Sequence, residues 1–213
     1  MVVSPKFKIV RAALEDREKI VDFLRQAFFK YEPLNMVLGC TDGPASSRNL
    51  RCLTSLDEGT SLIAADENGA IVGVCLNGED RREEHNGTFH CTCSKYSQIL
   101  KVVTTVGERA DVWKYTKSSR GLGLHVLAVD CKTRGQGLGR ILLEKSRELA
   151  REEGYEFITV TCTGAYSAHL PPLMGMNCIY SVPYTQLVAE GLLPTCPPEP
   201  HKEIKVFFQS LTE

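Results

Sequence analysis

The apolar residues of this chain recur with either the two-residue period of strands or the 3.6-residue period of helices. In the first third of the chain, one apolar helical face follows a candidate N-cap at Asp16 and ends at a break over 31–34. The clearest helix covers 137–153 and lies between apolar strands at 123–129 and 157–162. This strand–helix–strand order predicts two parallel strands that are joined by a right-handed crossover.

Shorter apolar runs extend this pattern over the whole chain. They predict five more strands, at 7–11, 61–66, 70–76, 176–182 and 204–209. They also predict helices at 47–56, 96–115 and 166–173, a polar loop at 78–94, and a proline-rich loop before the last strand. We therefore expect one α/β (α+β) domain over residues 1–213, built as a mixed sheet with helices on both faces.

Composition and charge narrow the classes of protein by exclusion. The 213 residues are 43% hydrophobic and 24% charged, which suits a folded core, and the net charge is −1. A near-neutral chain without an apolar run long enough for a bilayer predicts neither nucleic acid nor a membrane as a partner. The first residues lack the apolar core of a signal peptide, so we expect a cytoplasmic protein whose nine cysteines are reduced.

One group of metal-binding residue types occurs in the polar loop, namely His85, His90, Cys91 and Cys93. Structural zinc sites typically have paired Cys-x-x-Cys or histidine ligands at set spacing. A Cys-x-Cys beside two histidines matches that pattern poorly. We therefore expect no metal.

A glycine-rich loop, Arg-Gly-Gln-Gly-Leu-Gly-Arg at 134–140, lies between a predicted strand and the clearest helix. Glycines let backbone N–H groups approach an anion, and the helix N-terminus adds its positive dipole end, so this position favours a phosphate site. A dinucleotide-binding loop would need glycine where Arg140 stands, and a P-loop would need Gly-Lys-Ser/Thr, which is absent. A loop whose glycines serve only for turning is the alternative.

The spacing of Arg134, Gly137 and Gly139 is similar to the acetyl-CoA loop of the Gcn5-related N-acetyltransferase (GNAT) superfamily, whose pattern is Gln/Arg-x-x-Gly-x-Gly/Ala. The resemblance implies the GNAT fold, a mostly antiparallel sheet of about seven strands, and acetyl-CoA as co-substrate. It also implies that loop amides hold the CoA pyrophosphate and that N–H groups of the preceding strand bind the acetyl carbonyl. These residues are Arg134, Gly135, Gln136, Gly137, Leu138, Gly139 and Arg140 in the loop, and Leu127, Ala128 and Val129 in the strand.

Three separated segments resemble the insect arylalkylamine N-acetyltransferases: Glu32-Pro33-Leu34, Tyr166-Ser167-Ala168 and Pro198-Glu199-Pro200-His201-Lys202. An amine with a pKa of about 10.4 must lose a proton before it attacks a thioester, and a nearby carboxylate can accept that proton. The resemblance implies that Glu32 is this general base. From the residue alone, a solvated glutamate at a helix end is the alternative.

The resemblance also implies roles for Thr163, Ser167 and His201. The family has two hydroxyl residues four positions apart after the strand at 157–162, and Thr163 and Ser167 match them as a general acid or a substrate contact. His201 is expected to line the amine site or to relay a proton. For Thr163 and Ser167 the alternative is helix capping, and for His201 it is a position on the surface. No cysteine has the His and Asn partners of a nucleophile, so we expect direct acetyl transfer.

The expected partner is a small primary amine, above all an arylalkylamine of the dopamine, tryptamine or serotonin type. An aliphatic polyamine or agmatine is the alternative, and it would need pocket carboxylates for its distal cation. Asp42, Asp57 and Glu58 are candidates that the sequence neither places there nor excludes. A protein-lysine acetyltransferase or a CoA-binding module is a third possibility, which the neutral charge balance disfavours.

Overall fold

The chain folds around a single seven-stranded sheet in a computed structural model that describes residues 7–43, 51–82 and 94–212. The strand order is β1-β2-β3-β4-β5-β7-β6. The strands are β1 (Lys8–Arg11), β2 (Leu62–Ala65), β3 (Ile71–Arg81), β4 (Arg120–Val129), β5 (Phe157–Cys162), β6 (Asn177–Pro183) and β7 (Glu203–Ser210). The helices are α1 (Arg17–Ala27), α2 (Pro33–Leu38), α3 (Ser94–Ala110), α4 (Leu138–Glu152), α5 (Leu170–Leu173) and α6 (Tyr184–Ala189).

All neighbouring strands are antiparallel except β4 and β5, which are parallel and joined through α4. A parallel pair needs a crossover of this kind, because its strands run in the same direction. The predicted mixed, mostly antiparallel sheet of seven strands with helices on both faces is therefore confirmed.

A β-bulge in β4 changes the course of that strand. Leu76 pairs with Val126 and the next residue of β3 pairs with Leu124, so His125 is an extra residue in β4. Because side chains alternate along a strand, the extra residue reverses the faces that follow it. Leu124 joins the core beside α4, whereas Val126 and Ala128 join the core beside α1 and α3.

Strands β4 and β5 separate beyond the bulge. They pair only where Leu122–Leu124 meets Ile158–Val160, whereas β5 continues to pair with β7 as far as Cys162. In the described part of the chain, the last residues of β4 therefore have no strand on the β5 side. This gap positions the site described below.

The two faces of the sheet bury separate apolar clusters. Helix α4 buries Leu138, Leu142 and Leu149 against one face, and this apolar stripe is the one that its sequence period predicts. Helices α1 and α3 cover the other face, with Ile20 and Val106 fully buried. Both faces of the sheet are thus protected from water.

Several elements differ from the predictions. Strand β3 continues to Arg81, where a loop from 78 was predicted, because residues 77–81 pair with β4. The described part of the predicted helix at 47–56 forms 3₁₀ turns at Arg51–Leu53 and Leu56–Glu58 instead of an α-helix. Asp16 does stand at the start of α1, but its carboxylate accepts the Ala13 N–H of the preceding turn at 3.0 Å.

Two short helices were not predicted. Helix α2 follows the break at Glu32, and α6 occupies part of the predicted proline-rich loop. Each has only six residues, which is too short for a 3.6-residue period to show in the sequence. Each begins beside a proline: Pro33 is the first residue of α2, and Pro183 is the N-cap of α6.

The contact between Gly121 and Phe157 tests the packing of β4 against β5. A Cβ at position 121 would lie 2.1 Å from Phe157 Cε2, and the Phe157 ring is fully buried. We predict that Gly121→Ala lowers the free energy of unfolding by about 1–3 kcal/mol, because the ring must move. Chemical denaturation measures this change.

Gly107→Ala in α3 is the matched control, since a Cβ there meets no atom within 4 Å. It is expected to raise the free energy of unfolding by about 0.5–1 kcal/mol, because alanine favours a helix interior over glycine. A Gly121→Ala protein as stable as the parent would contradict the packing described.

Candidate active site

The gap between β4 and β5 opens into a cavity of about 350 Å³. Its walls are formed by the α1–α2 connection, α3, and the facing parts of β3, β4 and β5. Three of the four predicted catalytic residues, Glu32, Thr163 and Ser167, line this cavity, and His201 does not. Of the predicted strand residues, Leu127 lines it.

Glu32 is the N-cap of α2 and is 8% exposed. Because it precedes a proline, its backbone is extended, and its side chain turns back over the first turn of the helix. Its Oε1 accepts the Leu34 N–H at 3.1 Å, and its Oε2 accepts the Asn35 N–H at 2.7 Å. Glu32 therefore lies in the cavity wall as a buried cap rather than a solvated helix end.

Two side chains complete the contacts of the Glu32 carboxylate. Thr163 Oγ1 donates to Oε1 at 2.7 Å, and Asn35 Nδ2 donates to Oε2 at 2.5 Å. With the two backbone donors, these fill the four acceptor positions of a carboxylate. A new proton donor therefore reaches Glu32 by replacing one of these contacts or by passing its proton through one of them.

Asn35 is a cavity residue that the sequence analysis missed. It is 3% exposed, and its Oδ1 has no hydrogen-bond partner although it is buried. Because Nδ2 is committed to Glu32, Oδ1 is left as a free acceptor beside the carboxylate. A buried acceptor without a partner is costly, so it marks a position where a donor from a ligand or water fits. The sequence feature that could have identified Asn35 is its position three residues after the capping Glu32.

Thr163 and Ser167 follow the end of β5. The Thr163 carbonyl accepts the hydroxyl of Tyr184 at 2.6 Å, which ties this turn to the start of α6. Ser167 Oγ donates to the Gly164 carbonyl at 3.0 Å. Burial, and then the negative charge of Glu32, raise the pKa of the Tyr184 hydroxyl well above its ordinary value. Tyr184 therefore stays protonated and acts as a hydrogen-bond donor here.

His201 supports the same turn from outside the cavity. Its Nδ1 accepts the Ala165 N–H at 3.1 Å, and its ring lies edge-on to Tyr166 at 5.8 Å. Partial burial lowers the pKa of His201, and the charge of Glu32 opposes that shift. The neutral imidazole is the form that keeps Nδ1 as an acceptor.

Arg134 connects the end of β4 to the end of α1. Its Nε donates to the Val129 carbonyl at 3.2 Å, and one terminal nitrogen donates to the Ala27 carbonyl at 3.3 Å. Its guanidinium lies 5.1 Å from the centre of the Tyr31 ring, within cation–π range. Its backbone N–H donates to the Asp130 carbonyl at 3.1 Å. The Arg134 amide, which was predicted to contact phosphate, is therefore already hydrogen-bonded within the protein.

The remaining glycine-loop residues form a concave start to α4. Gly135 and Gly137 have φ of 76° and 80°, the left-handed region that favours glycine, and a Cβ at either would meet no atom within 4 Å. The amides of Leu138, Gly139 and Arg140 lie in the first turn of α4 and have no partner within the helix. These features fit the binding of a phosphate group.

The described residues contain neither a membrane-spanning helix nor a metal-binding group of side chains. No helix among them is long and apolar enough to cross a membrane. No group of three or more His, Cys, Asp or Glu side chains is placed to hold a metal ion within 7–43, 51–82 and 94–212. The four residues that were considered and rejected as a zinc site, His85, His90, Cys91 and Cys93, lie outside these ranges.

A parallel strand pair that separates beside a glycine-rich helix start, in a seven-stranded mixed sheet, is the arrangement that the GNAT resemblance implied. Residues 21–170 match the sequence profile of the Acetyltransferase (GNAT) family. This match spans more than half of the chain, and the chain belongs to that family.

Solved structures of this family superpose on nearly the whole chain. Arylalkylamine N-acetyltransferase 2 from Aedes aegypti has a TM-score of 0.84 at 24% identity, covering 97% of this chain and 99% of that one. Drosophila melanogaster polyamine N-acetyltransferase, which forms N-acetylagmatine, has a TM-score of 0.82 at 25% identity, with 96% and 100% covered. An agmatine N-acetyltransferase in a mutant apo form has a TM-score of 0.83 at 26% identity, with 97% and 100% covered.

The hydrogen bond to His201 predicts a pH-dependent stability. Because the pKa of His201 in the folded protein lies below the ordinary 6.5, the unfolded chain takes up a proton first as the pH falls. We therefore predict that the free energy of unfolding decreases as the pH falls from 6.5 through the lowered pKa of His201. NMR titration of the imidazole and denaturation at several pH values measure the two quantities.

His201→Asn is the matched variant, since it offers an acceptor but does not titrate. It should remove this part of the pH dependence. A His201 that titrates at or above 6.5 in the folded protein would contradict the assignment.

Proposed function

We propose that this protein transfers the acetyl group of acetyl-CoA to a small primary amine that binds in the cavity between β4 and β5. The observation that carries this proposal is the buried Glu32 carboxylate, which faces the cavity beside the unpaired acceptor Asn35 Oδ1. A protonated amine brings N–H donors and a positive charge, which suit both groups. The described residues that line the cavity include no lysine or arginine to repel that charge.

Glu32 is the proposed general base, and Thr163 is its proposed relay. Thr163 Oγ1 already donates its proton to Glu32 Oε1 and lines the cavity. When the amine passes a proton to Thr163 Oγ1, the threonine passes its own proton to Glu32, and the hydroxyl is restored. The neutral amine nitrogen then attacks the thioester carbonyl, and the C–S bond breaks to release the CoA thiolate. The thiolate takes up the second proton, which the nitrogen loses as it becomes an amide.

The co-substrate side of the proposal rests on the glycine loop and the free edge of β4. Members of the GNAT family use acetyl-CoA as co-substrate. The open turn around Gly135 and Gly137 and the first amides of α4 would hold its pyrophosphate. Past the bulge, the β5 side of Leu127 to Val129 has no strand partner, although the Val129 carbonyl accepts Arg134 Nε. We expect the remaining backbone groups there to contact the pantetheine chain and the acetyl carbonyl.

An arylalkylamine is the first substrate candidate, because apolar and aromatic side chains form most of the cavity wall. These side chains include Phe28, Phe29 and Tyr96, together with Val126 and Leu127 of β4. Such a wall suits an aromatic ring that is joined to the amine by a short chain. The arylalkylamine N-acetyltransferase from Aedes aegypti has the same fold.

Agmatine or a polyamine is the second candidate, and one observation favours it. Asp42, Asp57 and Glu58 do not line the cavity, but Glu79, Asp80 and Glu108 do, in addition to Glu32. The chain also resembles, at 25% and 26% identity, two acetyltransferases that are named for polyamine and agmatine. A protein substrate gains no support from the lining of the described cavity, which suits a small molecule.

Replacing the proposed base tests the mechanism. We predict that Glu32→Gln lowers kcat by about 10²–10⁴, because the substitution keeps the size of the side chain but removes the proton acceptor. Thiol release from acetyl-CoA with tryptamine and agmatine measures kcat. Thermal denaturation shows whether the capped start of α2 remains folded. A folded Glu32→Gln protein with parental turnover would exclude Glu32 as the base.

Two variants of Thr163 distinguish a proton relay from a role in packing alone. Thr163→Ser keeps the hydroxyl that donates to Glu32, and Thr163→Val keeps the branched shape without it. We predict that the valine variant loses about 10- to 100-fold in kcat, within the range for a proton-transfer group, and that the serine variant stays within a few-fold of the parent. Equal activity of the two variants would exclude a relay through Thr163.

A further inference from the structure

We infer that Asp80 forms the far end of the amine site and binds a second cation, so that the cavity accepts extended amines such as agmatine. This inference rests on the proposed function, because it assigns the reacting nitrogen to the end of the cavity at Glu32. It adds a specificity-determining residue, and it names a substrate that is positive at both ends.

Asp80 and Glu32 are attached to the same strand at a fixed spacing. Asp80 Oδ2 accepts the hydroxyl of Thr159 at 2.7 Å, and Glu32 accepts the hydroxyl of Thr163 at 2.7 Å. Thr159 lies in β5 and Thr163 is the residue that follows the strand, four positions on, and both line the cavity. At a strand rise of about 3.3 Å per residue, the two threonines that hold the carboxylates are about 13 Å apart along the chain.

The charge of Asp80 is not neutralised by the described part of the protein. Its neighbour Glu79 forms an ion pair with Arg120 at 3.0 Å, and Arg82 donates to the Trp113 carbonyl. Among the described residues, no lysine, arginine or histidine forms an ion pair with Asp80. Its one hydrogen-bond donor, Thr159, is neutral, so the carboxylate can accept a cation from a ligand.

Two glycines leave space in the cavity wall, and one of them, Gly123, adjoins Asp80. A Cβ at Gly123 would lie 2.7 Å from Asp80 Oδ1, so a larger residue there would displace the carboxylate. Gly107 lines the cavity from the interior of α3, where glycine is unfavourable for the helix, and a Cβ there would meet no atom within 4 Å. Both glycines occur at positions where a strand or helix would favour a side chain, and both border the cavity.

The spacing suits an extended dication. Standard bond lengths put the primary nitrogen of extended agmatine about 8 Å from its terminal guanidinium nitrogens. A hydrogen bond of about 3 Å at each end lets it reach from the Glu32 end to Asp80. A guanidinium also presents paired N–H donors that match the two oxygens of a carboxylate. Tryptamine has no second cation and leaves the charge of Asp80 without a cationic partner.

The test compares agmatine with tryptamine in the Asp80→Asn variant. We expect the ratio of kcat/KM for agmatine to kcat/KM for tryptamine to fall by about 10- to 100-fold, because the variant loses a charge-assisted contact that only agmatine makes. The loss should appear mainly in the KM for agmatine. Tyramine, whose distal hydroxyl is a neutral donor, should change less than agmatine.

Asp57→Asn is the matched control, because it removes the same charge from an exposed carboxylate that does not line the cavity. Its specificity ratio should stay within about threefold of the parent, since screened surface charges contribute little. Thr159→Val removes the hydroxyl that orients Asp80 and should lower the ratio in the same direction as Asp80→Asn.

Calorimetric titration of agmatine gives a readout that does not depend on turnover, with weaker binding expected for Asp80→Asn. Equal losses for tryptamine and agmatine, or an unchanged ratio, would overturn the inference. A parent protein that acetylates tryptamine but neither binds nor acetylates agmatine would overturn it while the proposed function stands. If no amine in the panel releases thiol, the proposed function fails, and unimpaired agmatine binding to Asp80→Asn would then overturn the role of Asp80 separately.

Discussion

The separation of β4 from β5 is the constraint on which the rest of the site depends. One extra residue, His125, reverses the side-chain alternation of β4, and the parallel pairing ends at Leu124. Beyond that point β4 still pairs with β3, but the backbone groups on its β5 side need partners that the sheet does not supply. The same separation creates the cavity and brings the end of β4 to the glycine loop. The proposed amine cavity thus follows from one irregular strand, which also leads directly into the glycine loop.

Glu32 shows how one side chain can serve folding and chemistry together. As the N-cap of α2 it accepts two backbone amides, and it also holds Asn35 and Thr163 in fixed positions. Those contacts orient the carboxylate, and they occupy all of its acceptor positions. A proton therefore reaches it most directly through a group that is already bound, which is why Thr163 belongs to the proposed mechanism. The conformation that stabilises the helix start also fixes the geometry at the proposed base.

Much of the fold could be predicted from local pattern. Strand β5 and the amphipathic helix α4 have long, regular apolar periods, and both lie within one residue of the predicted bounds. Helices α2 and α6 were missed because six residues carry no readable period. The end of β3 was not predicted, because every residue over 77–81 is either polar or glycine. Only the pairing with β4 makes this segment a strand. Pairing of this kind is a long-range property that one sequence does not display.

The residues of the site could be predicted only where they belong to a recognisable sequence motif. Glu32, Thr163 and Ser167 were placed by resemblance, and all three line the cavity. Asn35 and Asp80 were missed, because their importance comes from an unpaired oxygen in one case and an unpaired charge in the other. Such features exist only after distant segments have come together. The central claim, that both substrates meet in the gap between β4 and β5, is tested most directly by initial velocities over a matrix of acetyl-CoA and tryptamine concentrations. Direct transfer predicts intersecting double-reciprocal lines and no acetylated protein by mass spectrometry, whereas parallel lines with an acetylated chain, or no turnover, would contradict it.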